Sequence, residues 1–380
     1  MENYSVLKVK MNGELVGTLA NYKGSLAAFE YEDSWISTGF AISPFSIPLQ
    51  KRVYIPRYEP FGGIFGVFAD SLPDGWGALL VDRMLIKEGI NPSEVDMINR
   101  LAIVGQSGMG ALSYHPIHEW RAEQSKPEYD RVAEECRKIL AGERSRDLDV
   151  LFLLGGSSGG ARPKILTKID GEDWIIKFPS SYDSSDIGQI EYNYSLCAKK
   201  CGVQMTETRL FPSKQCAGYF GTKRFDRLET KMGQPLRIHT LSASALLEVS
   251  HRVPSLDYNS LMKLTLELTK DYSEVEKMYR LMCFNVFAHN RDDHSKNFSF
   301  LYCYSQNKWK LAPAYDLTYS SSIGGEHATS VNGNGLNPSI ADIYAVADKI
   351  GIAKTKAREI AEQVEQAVRE EFGDMKQYAL

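Results

Sequence analysis

A chain of 380 residues is long enough for two or more cored domains, and 43% hydrophobic with 24% charged residues is a globular composition that excludes wholesale disorder. A formal net charge of −4 excludes attachment to nucleic acid through bulk positive potential and leaves room only for a local basic patch. The N-terminal MENYSVLKVKMNGELVG has no apolar core of a signal peptide, charges interrupt every longer apolar run, and six scattered cysteines read as reduced thiols, so the expected compartment is the cytoplasm, away from the membrane.

In chain order, residues 5–20 alternate apolar and polar about Asn12-Gly13, which predicts a β-hairpin with a type I′ turn. Short β-like runs follow at 26–31 and 52–55. A helix is expected within 68–89, after the Asp-Gly turn, and another at 128–142, where Gly142 is the stop signal. Residues 1–145 therefore read as a β-rich mixed module with no evident chemistry. Beyond it, 164–169 and 173–179 read as strands joined by Asp170-Gly171, and 189–202 as a helix stopped by Gly202. The segment 217–227 reads as strand and extended chain. Helical runs are expected at 242–250, 258–270, 273–290 and 353–372, the last with Ile360, Val364 and Val368 on one face. The fold class is α+β.

The first chemical signal is LGGSSGGARPK, 154–164. A glycine-rich turn between β-segments lets backbone N–H groups approach a polyphosphate, although for the loop taken alone a plain hairpin turn is the more ordinary explanation. It is not a Walker A loop, because Lys164 opens a strand instead of following the glycine into a helix. A second glycine run, GQSGMG at 105–110, has no lysine-bearing strand behind it and reads as a structural turn.

Lys177 in WIIKFP is flanked by apolar residues. It is either a buried strand lysine in need of an anion or a surface lysine on an edge strand. Glu191, early in the next helix, is placed to hold it.

The strongest signal is HNRDDHSKNFSF, 289–300, directly after an apolar helix. Asp292 and Asn297 have the Asp-x4-Asn spacing by which kinases present a catalytic carboxylate and a magnesium-binding amide on one loop. Asp316 in LAPAYDLT follows as a second metal contact, and His294 and Lys296 lie within the loop as supporting residues. A zinc site of Asp293, His294 and His289 lacks a further soft ligand, and a polar turn or helix cap is the bland alternative. Glycine loop, strand lysine, helix glutamate, Asp-x4-Asn and later aspartate are the parts of a eukaryotic-like kinase in their order. In that scheme backbone amides and Lys177 hold a triphosphate, Asn297 and Asp316 hold magnesium, and Asp292 accepts a hydroxyl proton.

Through SSGGARPK (157–164), IIKFP (175–179), KRFDR (223–227), NRDDHSKNFS (290–299) and PAYDLT (313–318), the chain resembles the HipA toxin kinases of bacterial HipA–HipB toxin–antitoxin modules. FGVFADSLPDGWG (65–77) and GMGALSYHP (108–116) are similar to that family's N-terminal module. The resemblance implies a protein-kinase-like bilobal fold, with a β-rich N-lobe and a helical C-lobe behind a mixed α/β HipA-type module. The corresponding division is 1–145 for the module, 146–227 for the N-lobe with glycine loop and hinge, and 228–380 for the C-lobe.

It implies an ATP- and Mg2+-dependent serine/threonine protein kinase that arrests growth by phosphorylating a translation-related protein such as an aminoacyl-tRNA synthetase. Ser157, Ser158, Gly159, Gly160, Ala161, Lys164 and Lys177 would then contact ATP phosphates, and the backbone from Lys223 to Phe225 would face adenine. In the family the first loop serine is autophosphorylated, which expels the loop and silences the enzyme; it aligns with Ser157, and Ser158 stands beside it. The implied partner is a small HipB-like helix-turn-helix antitoxin, with DNA reached only through it. Two other readings share the scaffold: an antitoxin-binding co-repressor subunit with vestigial catalysis, and a small-molecule or lipid kinase.

Overall fold

The computed structural model describes residues 2–118, 120, 128–228 and 236–373. The chain divides into two compact units, one of Met1–Gln189, Arg209–Leu241 and Ala245–Glu248, the other of Ile190–Thr208, Ser242–Ser244 and Val249–Leu380.

The first unit opens with β1 (Val6–Met11) and β2 (Glu14–Tyr22), paired antiparallel about the expected turn, where Asn12 and Gly13 have φ of 48° and 92°. Positive φ at both central residues is what a type I′ turn demands, and Asn-Gly tolerates it. β3 (Leu26–Tyr31), α1 (Asp33–Thr38) and β4 (Val53–Tyr54) follow. Next come α2 (Gly66–Ala69), α3 (Gly75–Lys87), α4 (Met97–Val104) and β5 (Leu112–His115), which closes a sheet of order β4-β3-β2-β1-β5. The unit continues with α5 (Tyr129–Leu140), α6 (Leu148–Gly155) and the antiparallel hairpin of β6 (Lys164–Ile169) and β7 (Glu172–Lys177). Asp170 and Gly171 make its turn at φ of 53° and 86°.

Helix α7 (Ile187–Lys200) begins here and runs on in the second unit. β8 (Thr208–Phe211) and β9 (Tyr219–Lys223) complete a second sheet of order β6-β7-β9-β8, and β10 (Arg227–Leu228) pairs with β11 (Leu236–Arg237). One apolar core joins Trp76, Leu80 and Leu85 of α3 to Phe152 of α6 and to Ile165 and Ile176 of the hairpin. That shared core runs across residue 145. β12 (Thr240–Ser242) and α8 (Ala243–Leu247) follow along the chain.

The second unit holds the body of α7, β13 (Leu256–Asp257), α9 (Tyr258–Thr269) and α10 (Tyr272–Phe287). An antiparallel hairpin of β14 (Ser299–Cys303) and β15 (Lys308–Leu311) follows, then β16 (Thr329–Ser330), which pairs parallel with β13. α11 (Ile340–Ile350) starts in a capping box of Ser339 and Asp342, and α12 (Lys354–Phe372) buries Ile360, Val364 and Val368, the stripe expected from spacing. Among the described residues, no helix is long and apolar enough to cross a membrane.

His239 is fully buried in the first unit, with Nε2 2.7 Å from the Ile42 carbonyl, and burial pushes its imidazole down to about 4. The folded value lies below the unfolded ~6.5, so the folded protein resists protonation. Stability is therefore complete above that pH and falls as pH drops from ~6.5 toward 4, by at most about 1.4 kcal/mol per unit. Urea titrations between pH 7.5 and 4.5 are expected to show this slope in the wild type. In His239→Gln, which keeps a donor for Ile42, the slope is expected to shrink; an unchanged slope would remove His239 from the account.

Candidate active site

In the first unit the glycine-rich loop leaves the end of α6, not a strand, so the expected turn between β-segments is corrected to a helix-to-strand connection. The run LDVLFLLG is continuously apolar, and such a run gives no periodicity to separate helix from strand. The loop rests on PDGWG, 73–77. The Trp76 N–H donates to the Gly160 carbonyl at 2.9 Å, and the Gly160 N–H donates to the Asp74 carboxylate. Gly75 sits at φ 46°, and a Cβ there would lie 2.5 Å from the Gly160 oxygen; at Gly77 it would lie 2.1 Å from the Ser158 oxygen. Those two glycines are required because backbone packs on backbone.

The loop's own side chains are engaged. Ser157 Oγ donates to the Ser107 carbonyl at 3.0 Å and Ser158 Oγ to the Gly155 carbonyl at 2.5 Å, both hydroxyls being buried. Arg162 is spent on Asp183, with Nε–Oδ2 of 3.0 Å. Burial would raise the Asp183 pKa, but the Ser180 N–H and Arg162 hold it below its ordinary value. Gly159 and Ala161 flank Gly160 on this seat.

Lys164 and Lys177 face each other across the β6–β7 ladder, and each is only 7% exposed. Lys164 Nζ reaches the Gly159 carbonyl at 2.5 Å, and Lys177 Nζ lies 5.5 Å from the Phe220 ring centroid. Lys177 is thus on a central strand, so the edge-strand alternative does not hold. Two neighbouring buried ammonium groups at the base of a glycine loop form a site suited to a polyanion.

Lys223 ends β9 and its ammonium pairs with Glu172, while half-buried Phe225 follows in the extended chain. Between them and the turn 105–110 lies a clamp that the sequence reading missed. Asp226, 0% exposed, takes Arg224 through two bonds of 2.9 and 2.7 Å, Arg227 at 2.7 Å and the Gly110 N–H at 2.7 Å. Burial alone would push its pKa up, yet the Arg224 and Arg227 guanidinium groups and the Gly110 N–H hold it well below the usual carboxylate range. The turn's carbonyls also receive Arg237, so GQSGMG is a structural junction that carries Ser157 as well.

The second unit gathers the other candidates. Glu191 is buried in α7. The loop after α10 begins at His289, φ 51°, and is anchored by Asp293, not by Asp292. Asp293 is fully buried and accepts from the Tyr258 hydroxyl at 2.8 Å and the Thr329 N–H at 3.1 Å. It also lies 3.0 Å from His327 Nδ1. This commitment displaces the zinc alternative: among the described residues, no three His, Cys, Asp or Glu side chains gather to hold a metal.

With its neighbour fixed, Asp292 presents a side chain that is 64% exposed, and its carbonyl receives Asn297 Nδ2 at 2.7 Å. His294 caps the following turn by accepting the Lys296 N–H at 3.2 Å. The Tyr315 hydroxyl donates to the Lys296 carbonyl at 2.5 Å and lies 2.6 Å from Ser299 Oγ, which ties the segment before Asp316 to the same loop. Asp316 itself has φ 53°, a left-handed conformation that aspartate enters more readily than most non-glycine residues. Buried polar atoms without acceptor or donor concentrate here: Asn290 Oδ1, Arg291 Nε, Ser295 Oγ and Thr318 Oγ1. Such buried atoms are completed by water, an ion or a ligand. The oxygens of Asn297 and Asp316 are hard donors of the kind magnesium takes alongside phosphate.

An antiparallel sheet bearing a glycine loop and buried lysines, with a helical unit bearing Asp-x4-Asn and a later aspartate, defines a protein-kinase-like fold. The HipA N-terminal domain pattern matches residues 7–115 and the HipA-like C-terminal domain pattern matches 156–372. The chain belongs to the HipA family.

A Sinorhizobium fredii (strain NBRC 101917 / NGR234) protein, "Putative kinase Y4dM", is 24% identical over 356 residues, 87% of this chain and 81% of that one. The HipA, HipB and operator DNA complex of the Shewanella oneidensis MR-1 toxin–antitoxin system contains a chain that superposes with a TM-score of 0.71 at 17% identity. The match covers 96% of this chain and 90% of that chain, a likeness of fold.

Proposed function

We propose that this protein is an ATP- and magnesium-dependent serine/threonine protein kinase that acts as the toxin of a toxin–antitoxin pair. The observation that carries the reading is the clamped loop of the second unit. Buried Asp293 fixes exposed Asp292, and Tyr315 fastens Asn297's loop to the segment that holds Asp316 at positive φ.

The amides of Gly159 and Ala161, and that of Gly160 once it leaves the Asp74 carboxylate, bind the phosphates with Lys164 and Lys177, and the chain from Lys223 to Phe225 faces adenine. Asn297 and Asp316 would hold magnesium, which would supply neutralising charge to the phosphates. The substrate hydroxyl oxygen bonds to the γ-phosphorus, the bond to the bridging oxygen breaks, ADP leaves, and the hydroxyl proton passes to Asp292. Glu191, His294 and Lys296 are supporting residues. Residues 1–145 serve as the HipA-type module, 146–227 as the nucleotide part and 228–380 as the catalytic part.

The chain's place in the family, and the complex in which its structural relative was solved, support a HipB-like antitoxin as partner, with DNA reached through it. The protein substrate belongs to translation, an aminoacyl-tRNA synthetase being the class the family suggests. Self-modification of Ser157 or Ser158 requires the loop to give up its bonds to Ser107 and Gly155.

Intact and peptide mass spectrometry before and after Mg-ATP tests the reading. Phosphate gained by the wild type, on itself or on an added synthetase panel, and not by Asp292→Asn supports it. No gain on either, from protein that starts unmodified and still binds ATP, sinks it. Asp316→Asn keeps a residue that tolerates positive φ but loses a charged ligand. We expect it to raise the magnesium needed for nucleotide binding by roughly tenfold or more, read by titrating a fluorescent ATP analogue.

A further inference from the structure

Asp74 occupies the N-cap position of α3, yet its side chain makes no capping bond to that helix. An aspartate so placed ordinarily accepts from the second or third helical N–H, here that of Trp76 or Gly77. Instead the Trp76 N–H goes to the Gly160 carbonyl at 2.9 Å, and the Asp74 carboxylate accepts from the Gly160 N–H. The helix has given up its own cap to the glycine loop.

The carboxylate therefore stands where an anion held by that loop would stand. A Cβ built on Gly159 would lie 3.2 Å from Asp74 Oδ1 and 3.7 Å from Oδ2, so both oxygens lean on the loop. Lys164 Nζ reaches the Gly159 carbonyl at 2.5 Å, and a Cβ built on Gly160 would lie 2.6 Å from that ammonium. A loop amide and an ammonium within one short span make a phosphate cradle, and here a carboxylate oxygen fills the phosphate's place on the amide. The contact is open to solvent, because Gly160 is exposed and Asp74 only half-buried. A dissolved polyanion can compete for it without unfolding the unit.

We propose that Asp74 is a phosphate surrogate that sets the affinity of the glycine loop for polyphosphate. When a phosphate oxygen takes the Gly160 N–H, the Asp74 carboxylate turns back to cap its own helix at the Gly77 N–H. Each arrangement gives the carboxylate a donor, so the ligand's charge decides between them. The two anions repel, and they do not share the amide. Residue 74 lies in the stretch 1–145, which has no other evident chemistry, and through it that stretch sets how readily the loop accepts nucleotide. The inference rests on the reading of the glycine loop as a phosphate cradle and makes no use of Asp292, Asn297 or Asp316.

The test compares the full unphosphorylated chain with Asp74→Asn, which keeps the ability to cap and removes the charge; Asp74→Ser replaces it should the asparagine variant fail to fold. Inorganic tripolyphosphate and a non-hydrolysable ATP analogue, each with magnesium, are titrated into both proteins by calorimetry. The variant is expected to bind both ligands roughly fivefold more tightly, the size of one like-charge contact in water, and the gain should shrink as salt is added. A carboxylate that only props up the loop predicts the opposite sign. Equal or weaker binding by the variant overturns the inference, and leaves the kinase reading standing as long as wild type binds the analogue. Tighter tripolyphosphate binding with no analogue bound by either protein supports the surrogate and counts against the nucleotide reading. Neither ligand bound by either protein overturns the cradle, and the inference with it.

Discussion

Asp292→Asn is expected to lower phosphoryl transfer by about 10²–10⁴-fold, the usual contribution of a general base, while leaving the urea midpoint within about 0.5 kcal/mol of wild type. The two halves of that result follow from separate observations. The Asp292 carboxylate is exposed, and it is the residue's main-chain oxygen, unaffected by the substitution, that holds Asn297. The identical change one residue later should invert the pattern. Asp293→Asn replaces a buried carboxylate that accepts from Tyr258 and Thr329, and hydrogen bonds to a charged group contribute about 1.5–3 kcal/mol. Transfer rates and urea curves for the pair separate chemistry from scaffolding. Full transfer by Asp292→Asn would reject Asp292 as the base, and an unaffected midpoint in Asp293→Asn would reject the anchor.

Much of this was legible where the signal is local. Asn12-Gly13 and Asp170-Gly171 marked their turns because both positions of a type I′ turn need positive φ. The candidates Asp292 and Asn297 were visible because a single loop carries both at a fixed spacing. What stayed hidden depends on partners far apart in the chain. Nothing near Asp226 announces that its carboxylate will meet the amide of Gly110, 116 positions away. Asp74 looked like an ordinary Asp-Gly turn residue, yet its carboxylate holds the glycine loop at Gly160. Of two adjacent aspartates, period and composition could not say which would be buried. Thr329 and His327, which decide that, lie more than thirty positions on. Helix α6 was lost for the opposite reason: its apolar run is too uniform to carry a period.

The clamp at Asp226 sets the second large expectation. Asp226→Ala should cost about 3–5 kcal/mol in urea denaturation, because the substitution strands two arginines, not because it deletes attractive energy alone. Arg224 is buried and Arg227 nearly so, and both would keep their charge against main-chain carbonyls, those of the 105–110 turn and of residue 226 itself. The argument has a sharper consequence in Arg224→Met. If stranded charge is the main penalty, Arg224→Met combined with Asp226→Ala should be less unstable than the sum of the single variants, with a coupling of about 0.5–3 kcal/mol.

Additive costs would instead mean that the pair matters only through packing. The pH dependence points the same way. A carboxylate held below its unfolded value contributes stability that is present above ~4 and lost as pH falls toward the folded value, so wild type should lose more stability than Asp226→Ala below that point. Because Ser157 hangs on the same turn through Ser107, a collapsed clamp should also free the glycine loop. Proteolysis within 155–163 should then quicken in Asp226→Ala at temperatures where the rest of the protein is still folded; cleavage no faster than in wild type would show that the loop holds its seat through PDGWG alone.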